Sequence, residues 1–342
     1  MDKNAEILKK AISGSLNIIE QEREKEIIAR RFGLKGSKET LEQIGATLSI
    51  TRERVRQLEK AILIRLQISA EDKQIPELPA AEKLLIRNLT EMGRIAKLDD
   101  LAKKIYGEKV SNKDKASIYF IATFSKSLVV IEESDRFYAA IGIAEYGNYA
   151  ATKERVDEIV KTIKKNEKPM TIEELDEKLD YEHPDHIKAT ASISKQLASL
   201  NGLYGLVKWS SVNPKNIRDK IFVILETKKE PMHYSEIAVA IKESDFKRKN
   251  VTLQAIHNEL IKDNRFILIG RGIYALSEWG YKKGTIAEII KNILEKSEKP
   301  LTREEIVRQV LKVRKVKETT ILLNLQNKQL FKKIDKNSYT LA

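Results

Sequence analysis

The sequence contains no cysteine, and aromatic residues make up only 6% of its 342 positions. The absence of cysteine excludes disulfides, thiolate zinc sites and a cysteine nucleophile. No apolar run approaches the roughly 18 residues that a membrane-spanning helix needs, and residues 1–20 follow an amphipathic-helix pattern rather than that of a signal peptide. We therefore expect a soluble, cytoplasmic protein without a membrane segment.

Residues that would support catalysis are also missing. His183 and His186 form an H-x-x-H pair without a third ligand, and Pro184 interrupts any helix between them. Residues 33–38 lack the spacing of a phosphate-binding loop. We find no paired carboxylates, catalytic triad or metal-ligand set, and we predict a protein that is not an enzyme and has no cofactor.

The charge balance favours a polyanionic partner. Lys and Arg number 63 against 50 Asp and Glu, a formal net charge of +13. Residues 282–342 carry 15 basic against 7 acidic side chains, whereas residues 76–145 carry 11 of each. This distribution indicates nucleic acid as the partner, with residues 282–342 as the strongest candidate for phosphate contact. Solvated Lys/Glu helix faces would give a similar composition, and that alternative stays open.

Residues 39–66 have the layout of a helix-turn-helix. Leu41, Ile44 and Leu48 fall on one face of a first helix, and a turn follows at residues 49–50. A second helix opens at Thr51. Its first turns carry side chains that can read base edges or contact phosphates in a major groove, namely Arg52, Glu53, Arg56 and Gln57. An exposed charged helix with internal ion pairs is the alternative interpretation.

A repeated phrase runs through the rest of the chain. It reads KNEKPMTIEEL at 165–175, TKKEPMHYSEI at 227–237 and KSEKPLTREEI at 296–306. Each proline ends a loop after an amphipathic helix, and the following Thr–Glu or His–Glu pair predicts a capping box that starts the next helix. A third helix follows, over His186–Leu200, Lys249–Asp263 and Lys317–Lys328.

Two short strands are expected to close each repeat. They are clearest at Phe266–Ile269 and Ile273–Leu276, and a second pair brackets residues 335–337. A weaker copy at 76–145 has its pair at Leu128–Glu132 and Arg136–Ala140, whereas the copy at 152–212 lacks an obvious second strand.

Three helices followed by a hairpin are the winged-helix arrangement. We therefore predict a mainly α protein, with a helix-turn-helix domain at 1–68 and four tandem winged-helix units joined by short linkers. The units span 76–145, 152–212, 214–278 and 282–342.

Residues 20–67 closely resemble region 4 of bacterial primary sigma factors, the sigma-70 family. The matching runs are ARRFGL, TLEQIG and TRERVRQLEKAILIRL, in order and spacing. The resemblance implies docking on the −35 promoter element, with Arg52, Glu53 and Gln57 where the family reads bases. It places Arg54 and Arg56 where the family contacts the DNA backbone or nearby bases. It places Thr51 at the cap of the recognition helix, within reach of a phosphate. We add Lys60 to the predicted backbone contacts, and Arg56 to the base-reading set.

The same resemblance implies that the first helices, Glu20–Phe32, cradle the flap of the RNA polymerase β subunit. Only about twenty residues precede the motif, and the promoter-melting region of the family has no counterpart. We therefore expect that the chain does not act as a complete sigma factor by itself.

Residues 214–278 resemble the HARE-HTH domain, a winged-helix module of the RNA polymerase delta subunit, restriction systems and chromatin proteins. The matching runs are PMHYSEIAVAI, QAIHNELIKD and RFILIGRGIYAL. The resemblance implies DNA binding or attachment to a DNA-handling complex. Five basic residues of this and the last unit are predicted to contact the DNA backbone: Lys249, Arg271, Arg314, Lys315 and Lys317.

Three functions are compatible with these patterns. The first is a bacterial, nucleoid-associated transcription factor that reads a −35-like element in double-stranded DNA and binds RNA polymerase core to modulate initiation. The second is a delta-like accessory polymerase subunit with little sequence-specific DNA binding. The third is the DNA-binding subunit of a restriction or modification system.

Overall fold

The computed structural model describes residues 3–297, 299–335 and 337–342. The protein is mainly helical with small antiparallel sheets, and it divides into an N-terminal body, Met1–Val207, and a C-terminal body, Lys208–Ala342. We use the term modules 1 to 4 for the repeats at 76–145, 152–212, 214–278 and 282–342. Within the described residues no helix is both long and apolar enough to cross a membrane.

The helix-turn-helix predicted at residues 39–66 is present. A reciprocal capping box between Thr40 and Gln43 starts its first helix, and Ser49 turns the chain with a left-handed φ of 52°. The Thr51 side chain then accepts a hydrogen bond of 3.2 Å from the Arg54 backbone N–H and caps the second helix. The first four helices are α1 (Lys3–Asn17), α2 (Glu22–Phe32), α3 (Leu41–Leu48) and α4 (Arg52–Glu71).

Modules 1 and 2 complete the N-terminal body. Module 1 comprises α5 (Leu78–Glu91), β1 (Ile95–Lys97), α6 (Leu98–Tyr106), α7 (Asn112–Phe124), β2 (Leu128–Ile131) and β3 (Ala140–Ile143). Module 2 comprises α8 (Tyr149–Asn166), α9 (Ile172–Asp176), α10 (Pro184–Ser192), β4 (Leu197–Leu200) and β5 (Leu203–Leu206).

Modules 3 and 4 form the C-terminal body. Module 3 comprises α11 (Ile217–Lys228), β6 (Met232–His233), α12 (Tyr234–Glu243), α13 (Leu253–Lys262), β7 (Phe266–Gly270) and β8 (Ile273–Leu276). Module 4 comprises α14 (Ile286–Glu295), β9 (Leu301–Thr302), α15 (Arg303–Val313), α16 (Glu318–Leu325), β10 (Phe331–Lys333) and β11 (Ser338–Leu341).

The modules contain a strand that the sequence patterns did not predict. In modules 1, 3 and 4 the residues just before the second helix pair with the last strand, which gives the sheet orders β1-β3-β2, β6-β8-β7 and β9-β11-β10. In module 2 the same position makes a single bridge between Met170 and Tyr204. The proline-containing phrase therefore sets a strand as well as a capping box.

Two predictions for the hairpins were wrong. In module 1 the second strand is Ala140–Ile143 rather than Arg136–Ala140. In module 2 the third helix ends at Ser192, and the pairing of β4 with β5 makes a hairpin where none was predicted. Asn201 and Gly202 join these strands with positive φ values of 51° and 78°, which a tight hairpin turn requires. In the predicted turn at 335–337, Lys336 lies outside the described residues.

The helix-turn-helix and module 1 share one apolar core. Phe32 of α2 and Leu66 of α4 are buried together with Leu85 of α5 and Phe120 of α7. The ring centroids of Phe32 and Phe120 are 5.1 Å apart in an edge-to-face arrangement. The segment between the predicted domains at 1–68 and 76–145 includes the end of α4 and the buried Ile75 of this core. The predicted boundary between residues 68 and 76 therefore does not separate two cores.

Helix α1 belongs to this shared core as well. It packs against α5, α6 and α7, and its Leu8 and Ala11 are fully buried there. A smaller apolar cluster of Ile27, Ile44 and Val55 holds α2, α3 and the start of α4 together. The helix-turn-helix thus has a small core of its own and a larger one that it shares with module 1.

Module 2 is joined to module 1 through backbone contacts. The Tyr138 N–H donates to the Ile193 carbonyl at 2.9 Å, and the Lys195 N–H donates to the Arg136 carbonyl at 2.8 Å. Gly93 lies so close to α10 that a Cβ there would approach the Asp185 carbonyl oxygen to 2.4 Å. The segment around α10 therefore packs closely against module 1.

Candidate nucleic-acid interface

The first turns of α4 present a continuous polar surface. Arg52, Glu53, Arg54, Arg56, Gln57 and Lys60 are all exposed, whereas Val55 on the opposite face is fully buried. This alternation follows from the helical period, because one face packs on α2 and α3 and the other remains in solvent. The six side chains predicted from the sequence thus lie together on the exposed face of one helix.

Several of these side chains pair with one another or with α3. Arg56 contacts both carboxylate oxygens of Glu53, at 2.7 and 2.8 Å, and Gln57 donates to Glu53 at 3.3 Å. The Arg56 hydrogen bond lowers the pKa of the Glu53 carboxyl. Arg52 pairs with Glu42 of α3 at 3.0 Å. Exposed pairs of this kind contribute about 0–1 kcal/mol, so a base edge or phosphate can replace them at little cost.

The rest of α4 fixes the helix to its support. Arg31 of α2 contacts both carboxylate oxygens of Glu59 at 3.1 Å. Ile62 and Leu66 are fully buried in the core shared with module 1. At 20 residues the helix is about 30 Å long, so one half is held in the core while the other half projects its polar face.

Two residues that the sequence patterns did not single out shape the interface. Arg23 of α2 donates to the Leu48 carbonyl at 2.6 Å and satisfies the end of α3 at the turn. Glu42 orients Arg52 across the two helices. Both contacts join residues ten or more positions apart, and the helical pattern around each residue carries no signal for them.

The remaining predicted phosphate contacts lie in the C-terminal body. Lys249 is half-buried just before α13, whereas Arg271, Lys315 and Lys317 are exposed. The Lys315 N–H donates to the Ile269 carbonyl at 3.1 Å. The structure therefore brings Lys315 of module 4 beside the strand of module 3 that leads to Arg271.

The prediction that Arg314 contacts the DNA backbone was wrong. Its side chain is 8% exposed, and its guanidinium donates to the carbonyl oxygens of Leu268 and Gly284. Burial without a carboxylate partner lowers the pKa of Arg314. A guanidinium used in this way holds module 4 to module 3 and is not available to a phosphate.

The N-terminal interface matches a known family. Residues 21–67 fit the family model for sigma-70, region 4. These residues form a sigma-70 region 4 domain. Sigma-70 region 4 is a DNA-binding helix-turn-helix that contacts the −35 element and RNA polymerase.

Two curated relatives agree with this assignment. RNA polymerase sigma factor SigA of Listeria monocytogenes is 36% identical to the chain over 73 residues, and SigA of Listeria innocua gives the same values. The match covers 21% of this chain and 19% of each relative, so the chain spans about a fifth of the length of these relatives.

The α2 segment of the region 4 domain offers a partner mainly polar side chains. Its apolar residues Ile27, Ile28, Ala29 and Phe32 are all buried within the protein. Gln21, Glu22 and Arg23 are exposed at its start. A protein that docks on the predicted flap-binding segment would therefore meet a charged surface there.

Proposed function

We propose that the protein reads a −35-like promoter element through α4 and associates with bacterial RNA polymerase to modulate transcription initiation. The observation that supports the proposal is that the proposed base-reading side chains of the region 4 domain are exposed to solvent. Arg52, Glu53, Arg56 and Gln57 are exposed together, and the same helix is anchored by Ile62 and Leu66. A rigid helix with exposed Arg, Glu and Gln side chains suits direct readout in a major groove.

Individual roles follow from side-chain chemistry. Arg52 and Arg56 suit guanine, Gln57 suits adenine, and Glu53 suits the amino group of cytosine. Thr51, Arg54 and Lys60 are proposed to contact phosphates beside the reading face. These assignments require the Glu53–Arg56 and Glu42–Arg52 pairs to open when the duplex binds.

Polymerase association is supported by the region 4 domain, and its surface is a proposal for this chain. We place it on the exposed polar side of α2, since the apolar side of α2 is buried. The β-subunit flap remains the proposed contact. Co-purification of polymerase with the full chain, and its loss when the exposed Glu20 and Glu22 are replaced by alanine, would test this placement.

The modules behind the region 4 domain are proposed to be winged helices, with module 3 of the HARE-HTH type. Each has three helices followed by a hairpin, and modules 1, 3 and 4 add a short strand before the second helix. In modules 1 and 2 the third helices are largely buried, which favours a supporting role for these two modules. Modules 3 and 4 retain exposed third-helix faces.

The sequence preference of the full chain tests the proposed readout. We expect tighter binding to a duplex with a −35-like element than to a scrambled duplex, measured by fluorescence anisotropy. Arg52→Ala and Gln57→Ala should each remove about 1–3 kcal/mol of this preference, or about 5- to 150-fold in the affinity ratio.

Lys35→Ala is the matched control, because Lys35 is an exposed residue of the same domain outside α4. It should leave the affinity ratio unchanged. Equal affinity of the wild-type chain for both duplexes would refute base reading by α4.

A further inference from the structure

At the boundary between modules 3 and 4, backbone segments that carry cations from both modules lie in contact. Strand β7 is an edge strand of the module 3 sheet, and the Lys315 N–H donates to its Ile269 carbonyl at 3.1 Å. A Cβ at Gly270 would lie 2.6 Å from the Lys315 carbonyl oxygen, so the missing side chain permits this approach. Arg271 is the next residue along the module 3 hairpin, and Lys317 is the residue before α16 of module 4.

These three cations are exposed and carry uncompensated charge. Within the described residues, neither Arg271 nor Lys315 nor Lys317 makes an ion pair of 4.0 Å or less with a carboxylate. Glu318, the carboxylate nearest in sequence, lies 3.6 Å from Arg303 instead. The backbone segments that carry them meet where Lys315 contacts β7, and like charges on neighbouring segments repel unless an anion lies among them.

The buried Arg314 side chain holds the segment that carries Lys315 against module 3. Its buried guanidinium donates hydrogen bonds to the Leu268 carbonyl of β7 in module 3 and to the Gly284 carbonyl at the start of module 4. Burying a guanidinium without a carboxylate partner costs free energy, because the charged group loses water. The two hydrogen bonds of this guanidinium fix the backbone at Arg314, and with it the neighbouring Lys315, against module 3.

We propose that Arg271, Lys315 and Lys317 form a composite site for the phosphate backbone of duplex DNA, and that Arg314 is its positioning residue. The site requires both modules, since one supplies the hairpin arginine and the other supplies the lysines. A duplex carries a phosphate charge about every 1.7 Å along its axis, so neighbouring phosphates can neutralise all three cations. The proposal extends the DNA binding proposed above but uses no residue of α4.

The salt dependence of DNA binding by the full chain tests the site. The probe is a 20-bp duplex without a −35-like element, and affinity is measured by fluorescence anisotropy over a KCl series. Each phosphate contact contributes about 0.9 to the slope of log K against log salt. The triple variant Arg271→Ala, Lys315→Ala, Lys317→Ala should therefore lower the slope by up to about 2.7.

The control removes the same number of charges from α8. Lys161, Lys164 and Lys165 are exposed there, and their triple alanine variant should leave the slope unchanged. An unchanged slope for the Arg271/Lys315/Lys317 variant, or an equal fall for the α8 variant, would overturn the composite site.

The Arg314→Met variant separates positioning from direct contact. Alone it should lower the slope, because the lysines lose their anchor. Added to the triple variant it should change nothing further. A further fall of about 0.9 would mean that Arg314 itself contacts a phosphate, and the positioning role would be wrong. If Arg314→Met prevents folding in a thermal melt, the three surface substitutions decide the proposal.

The outcome is independent of base reading by α4. Gln57→Ala removes no charge and should alter the preference between sequences while leaving the salt slope on the unrelated duplex unchanged. A chain without sequence preference can therefore still confirm the composite site. Likewise, a chain whose salt slope is unchanged in the triple variant can still confirm base reading by α4.

Discussion

The third helices of modules 1 and 3 occupy the same place in their repeats but have opposite surroundings. In α7 the side chains of Phe120, Ile121 and Phe124 are at most 1% exposed. In α13 Leu253 is 50% exposed and Ile261 is 66% exposed, and Gln254 and Asn258 lie in solvent between them. The repeat therefore does not determine what its third helix does.

The difference arises from what covers each helix. The region 4 domain covers α7 through Phe32, and α10 of module 2 is fitted against the Gly93 turn of module 1. Because α7 is covered in this way, it is not available to enter a major groove, whereas it does pack against α4. The exposed amides of α13 leave module 3 able to contact a base edge.

The largest effect on stability should come from a truncation in the buried helix α7. Phe120→Ala removes a ring packed 5.1 Å from both Phe32 and Phe124, and should cost about 3–5 kcal/mol in urea unfolding. Leu253→Ala is the matched truncation in the exposed helix α13, and it should change the free energy of unfolding by no more than about 0.5 kcal/mol. Similar costs for the two variants would contradict the difference in burial.

Helix α10 offers a second test, through Gly93. A Cβ at this position would meet the Asp185 carbonyl oxygen at 2.4 Å and the Ala189 Cβ at 2.7 Å, and the φ of Gly93 is +88°. Gly202 has a similar φ of +78° but nothing within 4 Å of its Cβ position. Gly93→Ala should therefore cost about 1–3 kcal/mol more than Gly202→Ala, because only Gly93 adds a clash to the backbone strain. Equal losses in urea unfolding would contradict the close packing of α10 against Gly93.

The smallest effect concerns the loss of stability at acid pH where α10 packs on module 1. Burial lowers the pKa of His186 in α10, and the charge of Arg94 lowers it further. A histidine with a lowered pKa contributes stability above its ordinary value of about 6.5, and this contribution is lost as the pH falls through its folded pKa.

The wild-type chain should therefore lose more thermal stability between pH 7.5 and pH 5 than His186→Phe. His257→Phe, in module 3, controls for the loss of one histidine. Parallel pH profiles of the wild type and His186→Phe would show that the protonation of His186 does not oppose the packing of α10.

Local patterns in the sequence were sufficient to predict the reading helix. The Thr51 cap, the turn at Ser49 and the alternation around Val55 all depend on residues within one or two helical turns. The capping boxes at Thr171 and Thr302 were predicted for the same reason. Their hydrogen bonds join residues three positions apart, so the sequence pattern contains both partners.

Long-range packing explains the features that were missed. The hydrogen bonds of Arg314 reach residues 30 and 46 positions away, and no pattern around Arg314 distinguishes it from the exposed Lys315. The core that joins Phe32 to Phe120 spans 88 positions and crosses the predicted boundary between residues 68 and 76. The Asn201-Gly202 turn was a local signal for a hairpin, but the apolar run before it was assigned to the third helix.

The core shared by α2, α4 and α7 also sets the order of events during synthesis. Phe32 leaves the ribosome well before Phe120, and at about 5–20 residues per second the interval is roughly 5–20 s. During that interval the apolar sides of α2 and α4 lack their final partner. The region 4 domain therefore completes its folding only after module 1 has been made, and a gene fusion that transferred residues 1–68 alone would transfer a domain with an exposed apolar surface.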